Sequence, residues 1–205
     1  GMGVALGDTD GNGSLDLFIT HLVDQTHTLY SSAGSGDGVS YRDRSGSSGI
    51  GAGTLAMTGW GCGFLDLEND GELDLAIVHG RVARGPVAPA ADCGPFWNSY
   101  AEANQLYLNQ GNGKYILGKK RAGTFSSRAE ASRGLAFADI DSDGDTDLVQ
   151  SNIGNVLRVF RNEAQRSGNH WLRVRALTGA RDDLGALVTI TAGKRVLRRP
   201  VLSSS

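Results

Sequence analysis

No run of 18 apolar residues occurs in the chain, which excludes a membrane-spanning helix. Cysteine is almost absent. Cys62 and Cys93 fit no metal-binding spacing, and they are equally compatible with a disulfide in an oxidising compartment and with two free thiols, Cys62 buried and Cys93 exposed. Aromatic residues make up only 7%, and no basic run is interleaved with stacking rings, so no nucleic-acid partner is expected. Signatures of covalent or metal-hydrolytic chemistry are missing as well. There is no Gly-x-Ser-x-Gly elbow, no His-Glu-x-x-His helix and no phosphate loop. The net charge is only −2, and prolines number four.

Glycine is plentiful instead, at 30 of 205 residues. Combined with many short runs of β-formers, this points to a turn-dense all-β fold. The acidic residues are concentrated: 13 of the 22 fall in three loops, at 8–16, 66–74 and 139–147. The third loop places Asp139, Asp141 and Asp143 at positions one, three and five, Asp145 at seven and Asp147 at nine. The first places Asp8, Asp10, Asn12, Ser14 and Asp16 there, and the second Asp66, Glu68, Asp70, Glu72 and Asp74.

This spacing wraps side-chain oxygens from positions one, three and five, a carbonyl from seven and a carboxylate from nine around a hard cation such as Ca²⁺, about one ion per loop. A glycine at position six, such as Gly144, permits the sharp turn. Without a cation, four carboxylates this close would repel one another. An acidic turn that binds nothing needs Asp and Gly but not this fixed spacing. The EF-hand is disfavoured, because the twelfth positions are Ile19, Ile77 and Gln150 rather than Glu, and β-formers such as Leu17-Phe18-Ile19 follow directly.

The loops recur 58 and then 73 residues apart, and each is followed by a further β-segment: Thr28-Leu29-Tyr30-Ser31 with Gly34 and Gly36 beyond it, Gln105-Leu106-Tyr107-Leu108-Asn109, and Val156-Leu157-Arg158-Val159-Phe160. The pattern predicts units of four strands, with the fourth ending near Tyr41 or Tyr115, that neighbouring units must cover. It resembles the FG-GAP/VCBS repeat family over residues 1–165. The resemblance implies a partial β-propeller of the integrin α-subunit type, of about three four-stranded blades with calcium loops. Three blades are too few for a ring, so the others are expected upstream or from another chain. The first residues already read as a strand, so the sequence is taken as a fragment in which a missing signal peptide says nothing about export.

The second unit is lengthened by residues 80–100, which hold three of the four prolines and the aromatics Phe96, Trp97 and Tyr100. These rings either stack on a glycan or protein ligand or fold back over the blade edge. After about Gln165 the texture changes. Residues 167–179 and 183–191 alternate like strands, and Asn169-His170-Trp171-Leu172-Arg173-Val174 resembles the start of an ASPIC/UnbV domain over 166–205, implying an incomplete small β-domain packed on the last blade or frayed. Arg173 and Arg175 read as a solvated strand face.

His21 and His79 lie 13 residues after the first Asp of their loops, which suits a polar group at a strand end better than an acid or base needed once; His27 and His170 belong to no pattern. The expectation is a non-catalytic, calcium-binding segment of an extracellular, periplasmic or cell-surface protein that mediates protein or glycan binding or adhesion. The alternatives are a polysaccharide lyase or hydrolase and an accessory scaffold of a secreted or biosynthetic complex.

Overall fold

The computed structural model describes residues 1–33, 40–164, 168–193 and 195–201. Gly34, Gly36, Gln165, Ser167 and residues 202–205 lie outside the described residues, as does the boundary expected at 165/166. Among the described residues helix is confined to segments of five residues or fewer, and the strands form several small antiparallel sheets, none of them closed.

The first unit is a four-stranded meander of β1 (Val4–Gly7), β2 (Asp16–Ile19), β3 (Thr28–Ala33) and β4 (Ser40–Asp43). Each acidic loop is the turn between the first two strands of its unit. In unit 2, β5 (Gly59–Leu65) and β6 (Asp74–His79) flank the second loop. The insertion then leads through β7 (Glu102–Ala103) into β8 (Gln105–Asn109) and β9 (Tyr115–Leu117), and the sheet order is β5-β6-β8-β9. β10 (Ala129–Glu130) pairs with β7 beside the sheet.

Unit 3 comprises β11 (Ser132–Ala138), β12 (Asp147–Asn152) and β13 (Arg158–Phe160). It has three strands among the described residues rather than four. Between Phe160 and Leu177 the described residues make no ladder pairs, and Asn169 Nδ2 donates to the Glu68 carbonyl of the second acidic loop at 3.1 Å.

Strand alternation builds the core between units. Ala5, Phe18 and Leu29 from one face of unit 1 meet Leu75, Ile77 and Tyr107 of unit 2. The opposite face of unit 2, with Ala76, Val78 and Leu106, meets Leu148, Leu135, Phe137 and Phe160 of unit 3. Phe18, Leu29 and Leu75 have no exposed surface, and each such side chain contributes roughly 1.5–3 kcal/mol. Glycines set the spacing: a Cβ on Gly63 would lie 2.2 Å from Cε2 of Phe137.

The tail departs from its alternation. Residues 167–179 do not form a strand among the described positions: only β14 (Leu177–Thr178) pairs, with β15 (Arg181–Asp182). The second expected strand starts later than 183, as β16 (Leu187–Ala192), paired with β17 (Arg195–Pro200). Alternation marks which side chains share a face, but a strand also needs a partner for its backbone N–H groups, and residues 170–176 have none in a ladder. The tail also rests on more than the last unit. The Trp171 ring lies against Gly144, while Arg195 and Arg199 reach Glu72 and the Gly71 carbonyl.

Cys62 and Cys93 are free thiols. Cys93 is buried beside Ala101 and Ala129 rather than exposed, because the insertion folds back on itself, and burial pushes the Cys62 thiol up to about 12.

Candidate metal centre

The three loops share one backbone. Position six is glycine with φ of 87°, 85° and 89° at Gly13, Gly71 and Gly144, a region that a Cβ strains. Position four is also left-handed, at Gly11, Asn69 and Ser142. This double reversal turns backbone N–H groups inward. The position-one carboxylate accepts from the N–H of position six in every loop: Gly13 to Asp8 at 3.0 Å, Gly71 to Asp66 at 2.7 Å and Gly144 to Asp139 at 3.2 Å. The position-five side chain accepts from position seven: Ser14 to Asn12 at 2.7 Å, Glu72 to Asp70 at 2.8 Å and Asp145 to Asp143 at 2.9 Å.

The ninth position has a further role. Asp16 accepts from the N–H groups of Thr9 at 3.0 Å and Ser32 at 2.9 Å. Asp74 accepts from Leu67 at 3.3 Å and Asn109 at 2.8 Å, and Asp147 from Ile140 at 3.0 Å and Asn162 at 2.8 Å. Each ninth carboxylate therefore ties its loop to the third strand of its unit. Asp16 Oδ2 also accepts from the Thr9 hydroxyl, so its spare lone pair is on Oδ1, whereas each oxygen of Asp74 and Asp147 still has a second lone pair to offer.

Loop 3 brings its oxygens closest together. Ligand atoms of Asp139, Asp141 and Asp143 lie within 4.8 Å of one another, the only such group among the described residues. Oδ1 of Asp139 and Oδ1 of Asp8 are buried without a hydrogen-bond partner. A buried acceptor left unpaired costs about 1–3 kcal/mol, and an oxygen-seeking cation would satisfy both. Burial raises the carboxyls of Asp8, Asp16 and Asp66, with the neighbouring carboxylates Asp10 and Asp70 adding to the effect. Asp74 is pushed up to about 7, mainly by burial. A bound dication reverses this balance. The donor set of carboxylates, Asn12 and the position-seven carbonyls is all oxygen, as calcium prefers.

Residues 96–150 match the FG-GAP-like repeat family. The matched stretch of this FG-GAP-like repeat covers the second half of unit 2, all of loop 3 and most of β12. No curated protein matches the chain. The ASPIC/UnbV resemblance of the tail has no match beside it.

Within and around the FG-GAP-like repeat, arginines face the acidic loops. Arg44 pairs with Asp10 at 3.2 Å, Arg161 with Asp141 at 2.7 Å and Arg199 with Asp66 at 3.9 Å; Arg121, Arg173 and Arg195 lie against Glu68, Asp139 and Glu72. Arg173 is thus an ion-pair partner of a loop, whereas Arg175 pairs with Asp182 at 2.7 Å in the open. Asp145 is nearly buried, and its Oδ1 accepts from Asn69 Nδ2 at 2.7 Å, linking loop 3 to loop 2.

Two sets of residues escaped sequence reasoning. Asn109 and Asn162, at the ends of the third strands, reach back to the loop of the preceding unit: Asn109 Nδ2 donates to the Thr9 carbonyl and Asn162 Nδ2 to the Leu67 carbonyl, both at 2.9 Å. The recurring Asn after Leu-Tyr-Leu and Val-Phe-Arg was the available signal. The second set is a buried polar chain at the end opposite the loops. His27 Nε2 meets His79 Nε2 at 3.3 Å with the rings stacked. The His21 N–H donates to His27 Nδ1 at 3.2 Å, which places the His27 proton on Nε2. The chain continues from the His79 N–H to Asn104, then to Gln150 and Glu130, which pairs with Arg158 at 2.8 Å. Burial drives His27 down to about 4 and His79 well below its ordinary value.

At the same end, Phe96, Trp97 and Tyr100 form one ring cluster, with Phe96 and Trp97 centroids 4.9 Å apart and Arg84 4.9 Å above Phe96. Phe96 is 54% exposed, while Trp97 packs on the insertion and over Gly154.

Proposed function

We propose that the chain is a calcium-binding, non-catalytic propeller segment of an exported or cell-surface protein, acting in protein or glycan binding. The carrying observation is the threefold recurrence of one loop backbone, whose buried first-position oxygens Asp8 Oδ1 and Asp139 Oδ1 have no hydrogen-bond partner. On this reading, residues 1–165 are FG-GAP/VCBS blades and 166–205 the beginning of an ASPIC/UnbV-like domain. The first, third and fifth side chains, the seventh carbonyls and the ninth carboxylates hold about three calcium ions. Calcium is structural, and its binding energy adds to folding stability.

The ligand surface is the exposed part of the Phe96, Trp97 and Tyr100 cluster with Arg84, an aromatic patch suited to a sugar ring or a partner side chain. The buried position of His79 supports the non-catalytic reading over a polysaccharide-acting enzyme, since a general acid or base must reach its substrate. The match to an FG-GAP-like repeat supports an extracellular setting.

Calorimetric titration with calcium tests the metal reading. About three ions are expected, with magnesium competing poorly because it dehydrates reluctantly and demands near-ideal octahedral geometry. No heat, or equal binding of magnesium, would overturn it.

A further inference from the structure

One place in every acidic loop faces an arginine. Arg44 follows β4, Arg121 lies in the turn between β9 and the short helix at Gly123–Ser127, and Arg161 follows β13. They lie against Asp10, Glu68 and Asp141, the third-position acids of the three loops.

In loops 1 and 3 this divides the carboxylate between two tasks. Asp10 Oδ1 accepts from the Asn12 N–H at 3.2 Å and Asp141 Oδ1 from the Asp143 N–H at 3.3 Å, so the turn itself uses one oxygen. The arginine holds the other: Arg44 Nη1 is 3.2 Å from Asp10 Oδ2, and Arg161 Nε is 2.7 Å from Asp141 Oδ2. Arg161 Nη2 also reaches Asp143 Oδ2 at 3.4 Å, while Asp143 Oδ1 accepts from the Asp145 N–H. One guanidinium fork thus spans the third and fifth carboxylates of loop 3, on the oxygens that do not hold the loop's N–H groups. Arg173 makes the contrast. It shares Asp139 Oδ2 with the Gly144 N–H, and Oδ1 stays buried without a hydrogen-bond partner.

We propose that Arg44, Arg121 and Arg161 are internal counter-cations that hold the third-position carboxylates in the calcium-free chain, give way to calcium, and so set the affinity of the loops. The proposal rests on the calcium reading above. A guanidinium carries one charge and donates in a fixed fork, so Arg161 cannot also satisfy Asp139 Oδ1; a dication gathers all these oxygens. Bound to them, it repels the arginine beside it. The Arg121 and Arg161 side chains are 55% and 60% exposed, so water receives them readily. Coupling between two cations for one carboxylate is reciprocal: what the arginines add to the calcium-free fold is taken from calcium binding.

The test compares the unsubstituted chain with Arg44→Gln/Arg121→Gln/Arg161→Gln, which lacks the charges, and with the matching triple Lys variant, which keeps them. Competition with a chromophoric chelator at low ionic strength gives calcium affinity, and thermal unfolding gives stability with and without the ion. The glutamine protein is expected to bind calcium roughly 1.5- to 5-fold tighter at each loop. Its midpoint should be lower in chelator, and the deficit should vanish in saturating calcium. The lysine protein should stay near the unsubstituted chain. Unchanged or weaker binding by the glutamine protein, a deficit that persists in calcium, or a lysine protein that binds as tightly as the glutamine one overturns the proposal and leaves the calcium reading standing. No calcium uptake by the unsubstituted chain overturns both. A readout free of the triple variants is the Arg161 Nε–H signal of the unsubstituted chain in NMR, assigned by its loss in Arg161→Gln. Its exchange with water should quicken once calcium is added, and unchanged exchange at saturating calcium overturns the proposal.

Discussion

Lowering the pH from 7 to 5 tests the buried imidazole pair. His27 and His79 have no exposed surface, and their Nε2 atoms share one hydrogen bond, so the folded protein holds both rings neutral. In the unfolded chain each titrates near 6.5, whereas folded His27 resists protonation down to about 4. Between these values the unfolded state binds more protons, so stability falls as the pH falls. For His27 alone the loss from pH 7 to pH 5 is about 2 kcal/mol, and His79 adds to it with the same sign.

Asp74 works in the opposite direction. Without calcium its carboxyl is raised to about 7, so the folded state takes up that proton first and acid stabilises through this group; bound calcium reverses that sign. The clean comparison is therefore between the unsubstituted protein and His27→Gln/His79→Gln, which keeps Asp74 and lacks both imidazoles. Urea unfolding in millimolar calcium should show the stability difference shifting against the unsubstituted protein by about 2 kcal/mol or more from pH 7 to pH 5. Parallel behaviour of the two proteins would refute the neutral-pair argument.

Other outcomes follow from single contacts. Gly63→Ala drives a methyl group into the Phe137 ring, at 2.2 and 2.4 Å from its outer carbons, and should cost about 1–3 kcal/mol by urea midpoint at unchanged slope; a neutral result would mean that the two sheets are not so closely packed. Asn162→Ala strips a buried bond from the Leu67 carbonyl and should cost about 1–3 kcal/mol, loosening unit 3 from unit 2, with faster hydrogen exchange in loop 2 as the readout. Loop 1 should bind calcium most weakly, since Asn12 stands where the other loops have a carboxylate. Proteins in which two loops are disabled by Asp→Ala at the first position would report the third alone by calorimetry, and tightest binding by loop 1 would contradict this.

The strand-loop-strand frame was legible in the sequence because it is written locally. Carboxylate spacing fixes each loop, and Leu17-Phe18-Ile19 or Leu75-Ala76-Ile77 follows at once with β-formers. Long-range consequences were not legible. His27 belongs to no local pattern; its role depends on His79, 52 residues away, and on Gly59, where a Cβ would lie 2.3 Å from its Nε2. The link from each ninth carboxylate to the third strand also spans distant sequence, as with Asp147 and Asn162. In the tail, the alternation of Leu172 and Val174 with arginines imitates a strand, but pairing depends on a neighbour that the alternation does not specify. The sequence places the rings at 96, 97 and 100 on one insertion, yet only the fold separates half-exposed Phe96 from Trp97 packed over Gly154.

The most direct test of the central claim is thermal unfolding in chelator, in millimolar calcium and in millimolar magnesium. At calcium one hundred times the dissociation constant, each filled loop adds about 2.7 kcal/mol, so even one loop should raise the midpoint by roughly 5–10 °C. A large rise with calcium and little with magnesium is the predicted result. An unchanged midpoint in a chain that keeps its β-sheet circular dichroism would contradict it and reduce the three loops to acidic turns.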